Sequence, residues 1–133
     1  VSFAERENRE KSDGRLGRGR TKNPGFAYVE VSDNMRSVIR TKEKDIVSSF
    51  GNTGCYYFNK TLDFEYYANL MITKNIRVKN EFYLSQVYNE YILDNKKIIH
   101  YPIAEIFSIN TPTELKNNKN DILNFIENRK HHI

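Results

Sequence analysis

The sequence has no tryptophan and a single cysteine among its 133 residues. One cysteine, Cys55, cannot close an internal disulfide, which excludes the small disulfide-stapled scaffolds and favours a reducing, cytoplasmic location. Neither Cys55 nor the three histidines have the spacing of metal ligands. No apolar run approaches the ~18 residues of a membrane-spanning helix, and the first ten residues lack the basic start and apolar segment of a secretory signal. We therefore expect no membrane partner.

Aromatic and charged residues are plentiful. Phe and Tyr make up 13% of the chain, charged residues 29% and hydrophobic residues 38%. This composition predicts a folded chain and not a disordered one. The length fits one domain, or one half of a larger domain.

The net positive charge is concentrated near the start of the sequence. Residues 1–22 carry seven Lys and Arg and four Asp and Glu, so most of the net charge of +4 lies there. Residues 5–22 contain one apolar side chain, Leu16, which is too little to offset the entropy of ordering. We expect residues 1–22 to be a basic mobile segment or an insertion. Alternatively, the run GRLGRGR (14–20) contacts RNA, as Arg/Gly-rich segments do.

The pattern changes from residue 26 onward. FAYVEV (26–31) and RSVIRT (36–41) flank the turn residues SDN and predict a β-hairpin. GNTGCYYFN (51–59) predicts a glycine-rich turn that leads into an aromatic strand. Two helices, a strand and a last helix are predicted after it, at 61–71, 80–92, 97–103 and 111–128.

Each predicted helix has a start signal or a buried face. The first helix should bury one stripe, formed by Leu62, Tyr66, Tyr67, Leu70 and Met71. Asn80 is a candidate cap for the second helix, with Glu81 in the first turn. Thr111 and Glu114 form a capping pair for the last helix, which the asparagines at 117–120 interrupt. Helices that alternate with strands predict an α/β fold.

Five pieces of the sequence resemble, in order and spacing, the C-terminal half of the sugar-1-phosphate nucleotidylyltransferases, which are glucose-1-phosphate thymidylyltransferase-like enzymes. The pieces are FAYVEVSDN, the Glu43-Lys44 pair, NTGCYYFN, NEFYLSQVYNEYI and FSINTPTEL. The resemblance implies that residues 23–133 are the C-terminal part of a nucleotidyltransferase-like domain. The implied fold is α/β, an incomplete glycosyltransferase-A-like (nucleotide-diphospho-sugar transferase) mixed sheet with flanking helices.

The resemblance also implies a substrate site. Its residues would be Glu43, Lys44, Thr53, Gly54, Tyr57 and Glu81. The glutamates and the Thr-Gly turn would meet sugar hydroxyls, and the lysine would meet the phosphate, which suits a carboxylate and a point cation respectively. Each residue also has a plain structural interpretation, as a strand start, an exposed charged pair, a packed aromatic ring or a charge in the first turn of a helix.

Two departures from the family pattern concern catalysis. Ser108 stands where the family has a magnesium-binding aspartate, and serine is a poor ligand for a hard divalent ion. The glycine-rich loop that binds the nucleoside triphosphate belongs to the N-terminal half of the family's domain, which this sequence does not contain. We therefore expect no catalytic residue in this chain, and Mg²⁺ with most of its ligands outside the chain.

The resulting hypothesis is the sugar-phosphate-binding part of a nucleotidylyltransferase that makes an NDP-sugar from an NTP and a sugar 1-phosphate and is inactive alone. Such an enzyme serves sugar-nucleotide and polysaccharide biosynthesis. The expected partners are a sugar 1-phosphate or NDP-sugar, and either a missing N-terminal half or a second copy that covers the exposed sheet edge. The alternative is a non-catalytic interaction module that either binds a partner or binds RNA through the Arg/Gly-rich segment 6–22.

Overall fold

The computed structural model describes residues 12–34 and 36–131, which form a mixed α/β fold. The strands are β1 (Gly14–Arg20), β2 (Ala27–Val31), β3 (Val38–Glu43), β4 (Phe50–Phe58) and β5 (Ile98–Pro102). The helices are α1 (Thr61–Thr73), α2 (Leu84–Leu93) and α3 (Pro112–Lys130). The strands form one sheet in the order β3-β2-β4-β1-β5, antiparallel except for the β1–β5 pair. The predicted mixed sheet with flanking helices is confirmed.

The strand β1 lies between β4 and β5, inside the segment that composition predicts to be mobile. Leu16 and Arg15 are fully buried in β1, and the Arg15 guanidinium carbon lies 5.6 Å and 5.7 Å from the ring centroids of Tyr57 and Tyr101. The prediction of a mobile segment is therefore wrong for residues 14–20. Composition misleads because two neighbouring strands supply backbone partners and aromatic rings cover the arginine.

The first eleven residues, which are half of the predicted segment 1–22, lie outside the described part of the chain. The boundary at residue 22 and the RNA-binding alternative stay predictions.

The core lies between one face of the sheet and the helices α1 and α2. Its fully enclosed members are mostly aromatic or β-branched: Leu16, Val29, Val38, Tyr67, Met71, Val87, Tyr88, Tyr91 and Ile98. Phe58 of β4 stacks on Tyr88 at 4.8 Å between ring centroids, and Tyr67 of α1 packs on Tyr91 of α2 at 4.2 Å. Aromatic pairs at these distances add to the stabilisation that burial provides.

Two helix predictions differ from the structure. Leu62 and Tyr66 belong to the predicted buried stripe of α1 but are 78% and 59% exposed, and Phe64 packs against the core in their place. The helix α3 continues without a break through residues 117–120, because asparagine lowers helix stability without ending a helix. The Thr111 side chain caps its start by accepting from the Glu114 amide. Within the described residues, no helix combines the length and apolarity needed to cross a bilayer.

The β-hairpin of β2 and β3 forms as predicted, and β2 then meets β4 through a single residue pair, Tyr28 and Gly51. In an antiparallel ladder the next partners would be residues 26–27 and residues 52–53. These residues do not pair. The two strands separate at this point and leave a gap in the sheet.

The strand β4 also contains a bulge beside this gap. Against β4, the register of β1 advances by two residues from Leu16 to Arg18, while β4 advances by four residues from Tyr56 to Asn52. Gly54 lies inside the bulge at φ +82°, a left-handed backbone that disfavours residues with a Cβ atom. The run GNTG therefore lies within a nine-residue strand, with its last two residues in the bulge, where the sequence predicts a turn before a shorter strand.

The helix α2 is fastened to β3 through side chains. Asn89 of α2 brackets Thr41 of β3: its Oδ1 accepts from the Thr41 amide at 2.8 Å and its Nδ2 donates to the Thr41 carbonyl at 2.9 Å. One turn earlier on α2, the Ser85 hydroxyl donates to Glu43 Oε2 at 2.7 Å. These bonds hold the start of α2 beside the end of β3, next to the gap between β2 and β4.

Candidate functional site

A cavity of about 370 Å³ opens at the gap between β2 and β4. The lining comes from five stretches of chain: residues 25–27, Glu43, residues 52–54 with Tyr56, residues 83–85, and residues 106–110. The volume lies within the range of small-molecule sites, and sites of that kind combine apolar walls with a few polar groups. We call this space the β2–β4 cavity.

Three of the predicted site residues line the β2–β4 cavity, namely Glu43, Thr53 and Gly54. The Thr53 hydroxyl donates to the Gly17 carbonyl at 3.0 Å and also accepts from the Cys55 amide at 3.3 Å, so the bulge is internally bonded. Glu43 Oε2 accepts from Ser85. The structure thus brings a carboxylate and the bulged Thr-Gly pair to one cavity.

Lys44 and Glu81 lie at the edge of the cavity and are joined by Tyr83, which belongs to the lining. Lys44 Nζ donates to Tyr83 Oη at 2.7 Å, and Tyr83 Oη donates to Glu81 Oε2 at 2.8 Å. The ammonium nitrogen also lies 4.9 Å from the centroid of the Tyr83 ring. The hydrogen bond that the Lys44 ammonium donates to the Tyr83 hydroxyl, followed by weaker attractions to Tyr83, Glu43 and Glu81, raises the pKa of Lys44. Glu81 precedes α2 and is not in its first turn, which corrects that prediction.

Tyr57 lies outside the cavity, and its neighbour Tyr56 lines the cavity instead. Successive side chains of a strand point to opposite faces, so only one of the two can do so. The Tyr57 ring faces the Arg15 guanidinium. Burial, with a smaller contribution from the negative charge of Glu43, raises the pKa of Tyr56 and keeps its hydroxyl protonated.

Asn52 is a polar residue of the cavity that the sequence predictions do not include. Its side chain is almost fully buried at 4% exposure, and its Oδ1 accepts from the Gly54 amide at 3.0 Å. Its Nδ2 has no hydrogen-bond partner within the described structure. A buried amide donor without a partner costs free energy, and a ligand oxygen in the cavity would satisfy it. The Asn-x-Gly spacing of residues 52–54 was the available sequence signal.

The wall opposite the strands is formed by residues 106–110, which lead into α3. The Thr111 hydroxyl accepts from the Glu114 amide at 3.1 Å, so the predicted capping pair is present. Glu114 Oε2 in turn accepts from the Ser108 hydroxyl at 2.8 Å and from the Asn110 amide at 2.7 Å. The helix start therefore fixes the shape of this wall.

The residues of the β2–β4 cavity do not fit a magnesium site. Glu43 is the one carboxylate in its lining, and Ser108 is occupied as a donor to Glu114. No cluster of three or more His, Cys, Asp or Glu side chains able to hold a metal occurs among the residues described. Mg²⁺ prefers carboxylate and phosphate oxygens, and one carboxylate is too few.

Comparison with solved structures shows the class of fold: the five-stranded mixed sheet with flanking helices is a nucleotide-sugar transferase-like fold. A nucleoside-diphosphate-sugar pyrophosphorylase from Vibrio cholerae RC9 superposes with a TM-score of 0.75 at 24% identity, covering 88% of this chain and 49% of that protein. A Bacillus anthracis protein assigned as a glucose-1-phosphate thymidylyltransferase and solved with a sucrose gives 0.62 at 17% identity, covering 86% and 45%. The inositol-1-phosphate CTP transferase from T. maritima gives 0.58 at 12% identity, covering 80% and 42%.

The sequence matches no family model and no curated protein. The structural similarity at these low identities establishes the fold. The chain spans about half the length of the solved nucleotidyltransferases that it matches.

Proposed function

We propose that this chain is the sugar-phosphate-binding part of a nucleotidylyltransferase that joins an NTP to a sugar 1-phosphate. The solved proteins that share its fold include enzymes named for this chemistry. The observation that carries the proposal is the β2–β4 cavity, where the carboxylate of Glu43, the bulge at Thr53 and the unpartnered amide of Asn52 line the same space.

The polar groups of the cavity suit a carbohydrate. A carboxylate accepts hydrogen bonds from sugar hydroxyls. The Asn52 Nδ2, which is unsatisfied without a ligand, donates to a sugar oxygen. Apolar walls from Tyr56 and Phe107 provide surfaces for the carbon skeleton of the ring. At the edge of the cavity, Lys44 is the cation for the phosphate, and it exchanges the Tyr83 hydroxyl for phosphate oxygens when the ligand binds.

We assign the nucleotide, the Mg²⁺ ion and the catalytic groups to a part outside this chain, either an N-terminal half or a second subunit. Nucleotidyl transfer by in-line attack depends on positioning and on neutralisation of phosphate charge. This chain contributes the positioning of the sugar phosphate, so we expect no turnover from it alone. A cytoplasmic location and a role in polysaccharide biosynthesis belong to the same proposal.

The test is an NMR titration of the ¹⁵N-labelled chain with a panel of sugar 1-phosphates and NDP-sugars. At least one ligand should produce saturable shifts at the amides of residues 43–44 and 52–54. Glu43→Gln and Asn52→Leu should each weaken that ligand roughly tenfold, the loss of one charged or buried hydrogen bond. Glu65→Gln, which removes an exposed carboxylate from α1, is the matched control. No saturable shift with any member of the panel would contradict the proposal.

A further inference from the structure

A second polar site lies outside the β2–β4 cavity, beside the end of β1, and contains three cations: Arg18, Arg20 and Lys22. Arg18 and Arg20 belong to β1, and Lys22 comes two residues later. The guanidinium carbons of Arg18 and Arg20 lie 3.9 Å and 5.8 Å from the centroid of the same ring, that of Phe50 on β4. One aromatic ring therefore holds two positive charges close together.

Arg18, Arg20 and Lys22 have no carboxylate partner among the residues that the structure describes. The ion pairs between described residues join Glu30 with Arg40, Asp45 with Lys42, Glu90 with Lys74, and Glu127 with Lys130. Arg18 Nε instead donates to His100 Nδ1 at 2.8 Å. Burial, followed by the charge of Arg20, lowers the pKa of Arg18. The arrangement is electrostatically unfavourable until a negative charge arrives.

A cavity of about 570 Å³ adjoins this row of cations. Its lining consists of Arg20, Thr21, Lys22, Ile46, Ser48 and Ser49. Two cations and three hydroxyl-bearing residues thus surround a space whose lining includes no carboxylate. None of these residues belongs to the β2–β4 cavity, so the two spaces are separate.

We propose that Arg20 and Lys22 bind the phosphate group of a small ligand in this second cavity, while Arg18 adds its charge from the Phe50 ring. A guanidinium group presents paired donors to phosphate oxygens, and an ammonium group provides a point charge. The hydroxyls of Thr21 and Ser49 supply further polar contacts at the wall. The bound anion removes the repulsion between Arg18 and Arg20. This site does not depend on the sugar-phosphate site.

The geometry favours a small ligand over a nucleic acid. Arg15, the preceding cation of β1, is fully buried, so within the described part of the chain the outward row of cations ends at Arg18. Proteins that follow a nucleic-acid backbone neutralise many phosphates along a continuous groove. Three cations beside one bounded cavity are enough for one or two phosphate groups only.

The test uses inorganic phosphate as the probe, added to the ¹⁵N-labelled chain at constant ionic strength with chloride as the balancing ion. Saturable shifts are expected at the amides of residues 20–22 and 48–49. Arg20→Gln and Lys22→Gln should each weaken binding roughly tenfold, as expected for loss of a charge-assisted bond. Lys119→Gln, which removes an exposed cation from α3, should leave the affinity unchanged.

Two results would overturn the proposal. One is that phosphate produces NMR shifts of similar size at all basic surfaces, or that Lys119→Gln loses as much affinity for phosphate as Arg20→Gln and Lys22→Gln do. The other is no saturable response to phosphate, and tight, salt-sensitive binding of a single-stranded RNA oligomer in that case would favour the RNA-binding alternative. Circular dichroism checks that each variant is folded. If Arg20→Gln is unfolded, Lys22→Glu, at an exposed position, replaces it and should also weaken phosphate binding. The sugar-phosphate site is followed through the amides of residues 43–44 and 52–54, and the second cavity through those of residues 20–22 and 48–49. Loss of ligand binding at one site can therefore be distinguished from loss at the other.

Discussion

Tyr83 connects the two charged side chains at the edge of the β2–β4 cavity. Its hydroxyl accepts from Lys44 and donates to Glu81, so one group fixes the position of a cation and an anion. Lys44 itself has a left-handed backbone with φ 54°, which limits the directions its side chain can take. In the proposed function, Tyr83 holds the lysine ready until a phosphate replaces the hydroxyl.

The first prediction concerns Tyr83→Phe. Its hydroxyl is the largest cause of the raised pKa of Lys44, because it accepts a hydrogen bond from the charged form. Removing it should lower the pKa of Lys44 toward the ordinary value of a lysine. NMR titration of selectively labelled lysine side chains measures this change. Tyr66→Phe, at an exposed position on α1, is the control, and an unchanged Lys44 pKa in Tyr83→Phe would contradict the assignment.

Gly54 is the residue whose backbone the bulge depends on, and it gives the second prediction. Gly54→Ala should lower the free energy of unfolding by about 1 kcal/mol, because residues with a Cβ are strained at positive φ. There is open space around the added methyl group, so a steric clash is not the cause. Urea denaturation measures the effect. Cys55→Ala, at the next exposed position, should be close to neutral, and equal losses in both variants would sink the argument.

At the scale of elements, α2 is the helix that positions the site. It carries Ser85 against Glu43, follows directly after Tyr83, and grips β3 through Asn89. The side-chain amide of Asn89 hydrogen-bonds the backbone amide and carbonyl of Thr41 on the edge strand β3, as a further strand would do. The cavity is therefore held by contacts between α2 and β3 whose partners are 42 to 48 residues apart in the sequence.

Loss of this bracket is the third prediction. Asn89→Leu leaves the amide and carbonyl of Thr41 without their partner in a position that is 1% exposed. The free energy of unfolding should fall by about 2 kcal/mol, the cost of unsatisfied buried polar groups. Asn69→Leu on α1, an exposed asparagine in a helix, controls for helix propensity. Similar stabilities for the two variants in chemical denaturation would show that the bracket contributes nothing.

Two tyrosines on the buried face of α2 give the fourth prediction. The Tyr91 hydroxyl is buried without a hydrogen-bond partner in the described structure. The Tyr88 hydroxyl shares its one proton between the carbonyls of Arg15 and Tyr57, at 2.6 Å and 2.9 Å, and accepts from the Tyr57 amide at 3.2 Å. Tyr91→Phe should therefore raise the melting temperature, and Tyr88→Phe should lower it, each by the equivalent of about 1 kcal/mol. Differential scanning calorimetry distinguishes the two. A destabilised Tyr91→Phe variant would be the contrary result.

At the scale of the whole molecule, the chain presents apolar surface that no described element covers. The helix α3 has no buried residue, and Leu115, Leu123 and Ile126 are 50%, 49% and 46% exposed. Exposed apolar side chains of this kind are typical of a surface on which another chain packs, and we expect such a partner here. It agrees with a chain that spans about half the length of the proteins it matches.

Self-association is the fifth prediction, since a second copy is the partner available when the chain is studied alone. Sedimentation equilibrium should show a dimer or larger assembly, and Leu123→Gln combined with Ile126→Gln should shift it toward the monomer because less apolar area is buried. Ile72→Gln on α1, also 50% exposed, is the control. A monodisperse monomer at high concentration would refute the prediction.

The sequence predicted the elements whose signals are local. The hairpin of β2 and β3 has alternating β-forming residues around a polar turn, and the start of α3 has a Thr-Pro-x-Glu cap. The mixed sheet with flanking helices followed from the order of these elements and from the family resemblance. The strand β1 was missed because GRLGRGR has no apolar periodicity, and its stability comes from β4 and β5, which lie far along the chain.

The candidate site shows the same division. Residue types and the resemblance pointed to Glu43, Thr53 and Gly54, because a charge and a Thr-Gly turn are visible in a linear sequence. The sequence could not show that Tyr56, and not Tyr57, faces the cavity. It also could not show that the side-chain amide of Asn52 is left without a partner. A bulge changes the register of a strand, and register depends on the neighbouring strand.

The sequence by itself determined where the chain can turn, which segments can become helices or strands, and which polar groups are present to meet a ligand. These properties depend on neighbours a few residues away. Only the tertiary structure decided that an arginine-rich run lies inside a sheet, and that β2 and β4 separate to leave a cavity between them. The physical reason is that burial and strand pairing are interactions between distant segments, and in β1 they outweigh what local composition favours.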